Sequence, residues 1–175
     1  QGELIAHWYD DDWQAPDRLS RQVAALQQAS ADLCGAPDLL YYRLNAGEAW
    51  HYCPNHGSRW LAGGTLLYRR DAWAAHPFPS QDTPHAAGFS TLFPSDRIAP
   101  LHDPAFYIGV LHTDNAAPRS LTAAGWQRRP LDAVANRLNG DGAFYVNLRQ
   151  GKRGAAARPA AQTGGLTVVA PFMVY

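Results

Sequence analysis

Short apolar runs alternate with amphipathic segments along most of this chain, and that alternation predicts an α/β fold in which a mixed sheet is flanked by helices. Apolar runs bounded by Pro, Gly or polar residues predict strands over 3–9, 31–42, 98–101 and 106–112. Apolar residues at helical spacing predict helices over 16–28, 70–75, 86–93 and 131–138. Pro16 is expected in the first turn of its helix. The remaining polar segments predict a hairpin over 45–56 and a loop over 77–84.

The pattern changes near the carboxyl end, and this change sets the expected domain boundaries. Residues 151–165 are rich in Ala, Arg, Gly and Gln and predict a linker, whereas 166–175 are apolar and predict the first strand of a following domain. Residues 1–150 are then the main folded unit. Because the first residue is Gln1 and not Met, we expect the chain to be a piece of a longer polypeptide.

Composition excludes some classes of function. The 175 residues carry 15 Lys and Arg against 15 Asp and Glu, so there is no basic excess of the kind that nucleic-acid binding needs. No apolar stretch approaches the roughly 20 residues of a membrane span. The two cysteines, Cys34 and Cys53, have neither metal-ligand spacing nor the pattern of a disulfide framework, which is typical of a cytosolic protein.

Three consecutive carboxylates, Asp10, Asp11 and Asp12, follow the first predicted strand and precede the first predicted helix. Open α/β sheets bind ligands at such strand ends. Adjacent ionised carboxylates favour either full solvation or a divalent cation, and hard oxygen ligands suit Mg²⁺ or Mn²⁺. The alternative is a polar turn whose acidic residues interact with the dipole of the helix that follows. From this segment alone both interpretations stay open.

The order of several further segments resembles the second half of a family 2 glycosyltransferase catalytic domain. The matching segments are GELIAHW (2–8), the acidic run with Trp13, Pro16, Arg18, Leu19 and Gln22, WLAGGTLLYRR (60–70) with Trp73, Pro77 and Phe78, QDT (81–83), and His112 with Asn115. Together they span about residues 2–141. The tail, LTVVAPFMVY (166–175), resembles the first strand of another such domain, as in a tandem enzyme.

The resemblance implies the acceptor and metal half of a GT-A (Rossmann-like) glycosyltransferase domain. Such an enzyme transfers a sugar from a nucleoside diphosphate to a glycan or other hydroxyl acceptor, and here it implies a metal-dependent reaction with inversion at the sugar carbon. Mg²⁺ or Mn²⁺ would be held by Asp10, Asp11, Asp12 and His112. From its position alone, His112 is instead a hydrogen-bonded histidine at a strand end.

The resemblance also assigns the remaining candidate residues. Asp82 would be the general base that activates the acceptor hydroxyl, although locally it suits a helix N-cap. Trp60, Gly63, Gly64 and Gln81 would contact substrate. Without the resemblance, the glycines indicate a β-bulge or a close backbone approach that feeds a strand, and Trp60 indicates a core residue.

Two residues depart from the family's pattern, and they favour a rival interpretation. Tyr9 stands where the family typically has a further aspartate, and Gln81 stands where it usually has glutamate. The rival is a non-catalytic carbohydrate-binding or degenerate transferase remnant. A metal-dependent phosphodiesterase or hydrolase is a weaker rival, because it would need more His and Asp near the metal.

The nucleotide-binding half of the family's domain has no counterpart in these residues. We therefore expect the isolated chain to be inactive and to need the rest of its parent polypeptide. Family analogy implies a bacterial cytoplasmic enzyme and leaves open whether it associates with the membrane periphery.

Overall fold

The protein is described by a computed structural model that covers residues 2–54, 59–78, 88–113 and 120–149. Within these ranges the chain forms two mixed β-sheets with helices, which confirms the α/β class but replaces the single expected sheet by two. The strands are β1 (Leu4–Ala6), β2 (Trp13–Gln14), β3 (Leu33–Gly35), β4 (Leu39–Arg43), β5 (Glu48–Tyr52), β6 (Leu67–Arg69), β7 (Ile98–Pro100), β8 (Tyr107–Leu111) and β9 (Trp126–Arg129). The helices are α1 (Arg18–Gln28), α2 (Arg70–Ala75), α3 (Asp132–Leu138) and α4 (Gly142–Arg149).

The first sheet has the strand order β1-β6-β3-β7. Strand β6 is antiparallel to β1 and β3, whereas β7 is parallel to β3. Helix α1 covers one face of this sheet, because Leu19, Val23 and Leu26 pack in one cluster with Cys34 and Leu67. These three positions of α1 have the helical spacing that the sequence predicts for an apolar stripe.

The second sheet has the order β2-β8-β4-β5-β9, with β8 parallel to β4 and every other pair antiparallel. One of its faces packs against α3 and α4 through Val134, Leu138 and Tyr145. The opposite face, which carries Tyr107, packs in a cluster with Ala36 and Ala62. That second face leads to the candidate site.

The segment 31–42 was expected to be a strand entered from a turn at Gly35 and Pro37, and the structure places a second strand before that turn. It divides into β3 and β4, which belong to different sheets. Pro37 lies between them and has no N–H to continue a ladder, and the Ala36 carbonyl accepts a hydrogen bond of 2.9 Å from the N–H of Ala62. Gly35 and Pro37 indicated the interruption, but both halves are buried, so hydrophobicity gave no sign that they belong to different sheets.

Other elements differ from the predictions at their ends. Helix α2 occupies the predicted 70–75, and β8 lies within the predicted 106–112. Helix α1 begins at Arg18 with Asp17 as its N-cap, so Pro16 precedes the helix. Strand β9 was not predicted, because three of its four residues are polar and exposed.

Several predicted features lie outside the described residues. They are Gln81 and Asp82, Asn115, the linker 151–165 and the apolar tail 166–175. Within the described ranges, none of the helices combines the length and apolar character that crossing a bilayer requires.

Candidate functional site

Asp12 is held in place by two hydrogen bonds from β8. The backbone N–H of Val110 donates to Asp12 Oδ1 over 2.7 Å, and the Tyr107 hydroxyl donates to Oδ2. Burial and the neighbouring Asp12 charge raise the pKa of Tyr107 well above its usual value, so the hydroxyl stays a donor. The acidic run is therefore anchored to the strand that leads to His112.

Asp11 lies beside His112 across 101 residues of sequence. The distance between Asp11 Oδ2 and His112 Nε2 is 3.3 Å, and the two side chains are 43% and 24% exposed. Asp10 is exposed. The structure thus brings one carboxylate of the run to His112 and attaches the next, Asp12, to the sheet.

The side chains beside Asp11 determine which metal ligands the described residues can offer. Within the described part of the chain, no group of three or more His, Cys, Asp and Glu side chains is placed to hold a metal ion. Mg²⁺ is nevertheless commonly bound through one or two carboxylates, with waters and substrate phosphates completing its shell. Asp11 provides one such carboxylate, and the ligand atom beside it is the His112 nitrogen at 3.3 Å, so metal binding here stays a prediction.

Gly63 and Gly64 form a short 3-10 turn with Thr65 that leads to β6. A Cβ at position 64 would overlap the Tyr107 hydroxyl and lie 2.9 Å from Cδ2 of Tyr9. The glycine here allows the protein's own side chains to approach the backbone. Contact of this turn with a substrate stays a prediction.

Arg18 is a completely buried cation behind the acidic corner, and sequence analysis did not identify it as a site residue. Its Nη2 donates to the carbonyl oxygens of His7 and Gly64, each over 2.8 Å. Its Nε and Nη1 donate to Gln22 Oε1 and Gln14 Oε1. Burial lowers the pKa of Arg18 to about 10, which leaves it charged at neutral pH. Arg18 and Gln22 are four residues apart on α1, and this helical spacing is the sequence signal for that part of the network, whereas Gln14 comes from β2.

His7 is buried, and its contacts give it a structural role. Its Nδ1 lies 2.9 Å from the Gly63 carbonyl oxygen, which can only accept, so Nδ1 carries the proton. Its Nε2 then accepts from the Tyr68 hydroxyl at 3.2 Å. Burial lowers the pKa of His7 to about 4, so the ring is neutral at physiological pH.

Trp60 is half-buried and belongs to a continuous aromatic group. Its ring meets that of Tyr52 edge-on, with centroids 5.4 Å apart. Tyr52 in turn contacts Trp126, at 4.8 Å. Trp126 was not identified from the sequence, because β9 was not predicted. A role in substrate binding for Trp60 stays a prediction, and Gln81 and the proposed base Asp82 are not among the described residues.

Comparison with known proteins gave no relatives for this chain. No protein-family model, no curated protein and no solved structure matches it. The glycosyltransferase assignment therefore depends on the resemblance of its motifs and on the geometry described above.

Proposed function

We propose that this chain is the acceptor and metal half of a GT-A glycosyltransferase, which transfers a sugar with inversion from a nucleoside diphosphate to a hydroxyl acceptor. The observation that carries the proposal is the 3.3 Å approach of Asp11 Oδ2 to His112 Nε2. The resemblance had named both residues in one ligand set with Asp10 and Asp12, although Asp11 follows β1 and His112 follows β8. Their meeting supports a shared role in the reaction.

The chemistry requires two kinds of assistance. The leaving diphosphate gains negative charge, and a bound Mg²⁺ or Mn²⁺ would act on it as a Lewis acid. Asp11 and His112 would hold the ion, while Tyr107 and Val110 hold Asp12 and with it the orientation of the corner. Both oxygens of Asp12 already accept hydrogen bonds, so we assign it to positioning rather than to the metal. Of the run, Asp11 is the carboxylate that lies beside His112, so Asp10 is also left out of the ligand set.

The second kind of assistance is removal of the acceptor proton. Asp82 is the proposed general base, by resemblance. A base that activates the acceptor on the face opposite the leaving group leads to inversion, by the geometric argument used for inverting glycosidases.

Measuring metal binding tests directly whether Asp11 and His112 form a ligand pair. Mn²⁺ titrated into this chain and followed by electron paramagnetic resonance should bind, and more tightly when a nucleoside diphosphate is present. Asp11→Asn and His112→Ala should each weaken binding by about tenfold or more, equivalent to about 1.4 kcal/mol. Asp10→Asn is the matched control and should leave affinity unchanged. Equal loss in Asp10→Asn and Asp11→Asn would contradict the ligand assignment.

Turnover tests the reaction. In a full-length polypeptide that contains this chain, transfer from a nucleotide sugar should be abolished by Asp82→Asn and by Asp11→Asn. If the Asp82→Asn variant still transfers sugar, Asp82 is not the general base.

A non-catalytic carbohydrate-binding protein is the second candidate, and the environment of Tyr9 favours it. The Tyr9 ring packs beside Gly64, and its carbonyl oxygen accepts from Gln14 Nε2 at 2.9 Å. A packing residue thus occupies the position where the family typically carries an aspartate. This candidate predicts sugar binding without any turnover of nucleotide sugars by the full-length polypeptide.

A further inference from the structure

The face of the second sheet that carries Tyr107 continues away from the acidic corner in a defined register. Trp13, the residue after Asp12, pairs with Ile108, the residue before Gly109. Gly109 pairs with Tyr41, Tyr41 with Trp50, and Trp50 with Arg128. Side chains one strand apart in such a row share a face. At about 4.8 Å per strand, the sheet extends roughly 14 Å from β2, the strand that follows Asp12, to β5, the strand of Trp50.

Half-buried aromatic rings line the outer part of this face. We call Tyr52, Trp60 and Trp126 the aromatic strip. Tyr52 and Trp126 are directly paired across β5 and β9, and all three rings are partly exposed. Beneath them the Tyr41 ring is 5% exposed and contacts Trp126, with centroids 4.9 Å apart.

Two glycines allow this arrangement. A Cβ at Gly109 would overlap the Tyr41 ring, so glycine lets that ring lie across β8. Gly125 has a φ of +93°, and a Cβ there would lie 2.7 Å from the Cys53 carbonyl oxygen. Its own carbonyl oxygen accepts from the Cys53 N–H at 2.9 Å, which places Trp126 beside Tyr52. The left-handed conformation at Gly125 is one that side chains rarely adopt.

Charged side chains border the aromatic strip, and we call Arg43, Glu48 and Arg128 the charged rim. Glu48 Oε1 lies 3.1 Å from Arg128 Nη2, and Oε2 lies 3.3 Å from Arg43 Nη1. Oε2 also accepts from the indole N–H of Trp50 at 3.2 Å. Arg43 and Arg128 are 50% and 68% exposed, so their remaining donors face solvent. The rim adjoins the candidate site, because Arg43 pairs with Leu111, the residue before His112.

We infer that the aromatic strip and the charged rim together bind a carbohydrate, and that this carbohydrate is the acceptor glycan. A pyranose ring has an apolar C–H face that stacks on aromatic rings, and its edge carries hydroxyl groups that accept from guanidinium groups and donate to carboxylates. The mixed signs of the rim suit a polyhydroxyl ligand better than an anion or a cation. The acceptor role rests on the proposed transferase function, whereas sugar binding does not.

The six indole N–H groups provide a direct test in the unmodified chain. Cellohexaose, chitohexaose and maltohexaose are each titrated into ¹⁵N-labelled protein. At least one should shift the indole signals of Trp60 and Trp126 and leave those of Trp13 and Trp73 unmoved. Trp13 is buried and donates to Asp141, and Trp73 packs against the first sheet, so both are internal controls. If no probe shifts Trp60 and Trp126, or if all six signals shift equally, the inference is overturned.

Variants then separate binding from packing. Trp126→Ala should raise the glycan Kd about tenfold or more, and Trp126→Phe should raise it less. Glu48→Gln leaves the aromatic packing intact and should also weaken binding, so the test survives if Trp126→Ala does not fold. Trp73→Phe should have no effect. A rim variant with unchanged affinity would contradict the role of the rim.

Two further measurements identify other outcomes. Sedimentation without glycan that shows dimers broken by Trp126→Ala would assign the strip to a second copy of this chain and overturn the inference. If the Asp11→Asn variant no longer binds Mn²⁺ but its indole signals still shift with glycan, the metal site and the carbohydrate site are distinct, as the inference requires. Glycan binding combined with no Mn²⁺ binding in the native chain would reject the transferase and keep the carbohydrate site.

Discussion

The Tyr107 hydroxyl donates a hydrogen bond to Asp12 Oδ2 across 95 residues of sequence, and this contact joins the acidic corner to the second sheet. Tyr107 also lies under the guanidinium of Arg18, whose Cζ is 5.2 Å from the ring centroid. The carbonyl oxygen of Gly64, in the turn that leads to β6 of the first sheet, accepts a hydrogen bond from the same guanidinium group. The candidate site is thus supported by packed polar contacts between the two sheets.

The first prediction concerns the energy of the Tyr107–Asp12 contact. Tyr107→Phe removes the hydroxyl that donates to Asp12. Because no water replaces a donor at this buried position, the substitution should lower the free energy of unfolding by about 1–3 kcal/mol. Asp12→Asn should cost a similar amount. Urea denaturation of both variants and of the double variant should give a coupling energy of about 0.5–3 kcal/mol. Additive effects would show that the contact contributes nothing, and exposed Asp10→Asn is the control.

The second prediction concerns Gly64. Gly64→Ala would place a methyl group on the Tyr107 hydroxyl and against the Tyr9 ring. Because the neighbours are packed, we expect destabilisation of about 1–3 kcal/mol and weaker Mn²⁺ binding at Asp11. Gly142→Ala is the matched control, since no atom lies within 4 Å of a Cβ at that position in α4. Thermal unfolding of both variants measures the difference, and an unaffected Gly64→Ala protein would contradict this packing.

The third prediction separates the geometry of Arg18 from its charge. Arg18→Lys keeps a cation but cannot reproduce the fork that reaches Gln14, Gln22 and two carbonyl oxygens. Since the unbonded acceptors would remain buried, we expect a loss of about 3 kcal/mol or more in unfolding free energy. Arg21→Lys, at a 42% exposed position with surface ion pairs, should change it by less than about 0.5 kcal/mol. Similar losses at both positions would rule out a special role for the fork.

The fourth prediction follows from His7. Its pKa is 6.5 in the unfolded chain and about 4 in the folded protein, so the unfolded state binds the proton first as the pH falls. The stability that neutral His7 contributes is complete above pH 6.5 and is lost as the pH falls toward 4, by roughly 3 kcal/mol. Urea unfolding as a function of pH should therefore show a flatter profile for His7→Asn than for the native chain. A matching change in exposed His102→Asn would mean that another group is responsible.

Local patterns in the sequence were sufficient for several elements. The apolar spacing of Leu19, Val23 and Leu26 predicted α1, and the run around Ile108 predicted β8, because each depends on burial of its own side chains. The resemblance grouped Asp10, Asp11 and Asp12 with His112, and the fold brings Asp11 of that group to 3.3 Å from His112. Strand β9 was not predicted because it has no apolar pattern of its own, and it is a strand because it pairs with β5.

The amino-acid sequence by itself determined the α/β class, the approximate positions of most helices and strands, and the residue types at the acidic corner. Only the tertiary structure decided that β3 and β4 enter different sheets, that Asp12 faces Tyr107 while Asp11 faces His112, and that Arg18 is buried. The physical reason is that periodicity reports which side of an element is buried, whereas hydrogen-bond partners 46 to 101 residues apart depend on how the sheets pack.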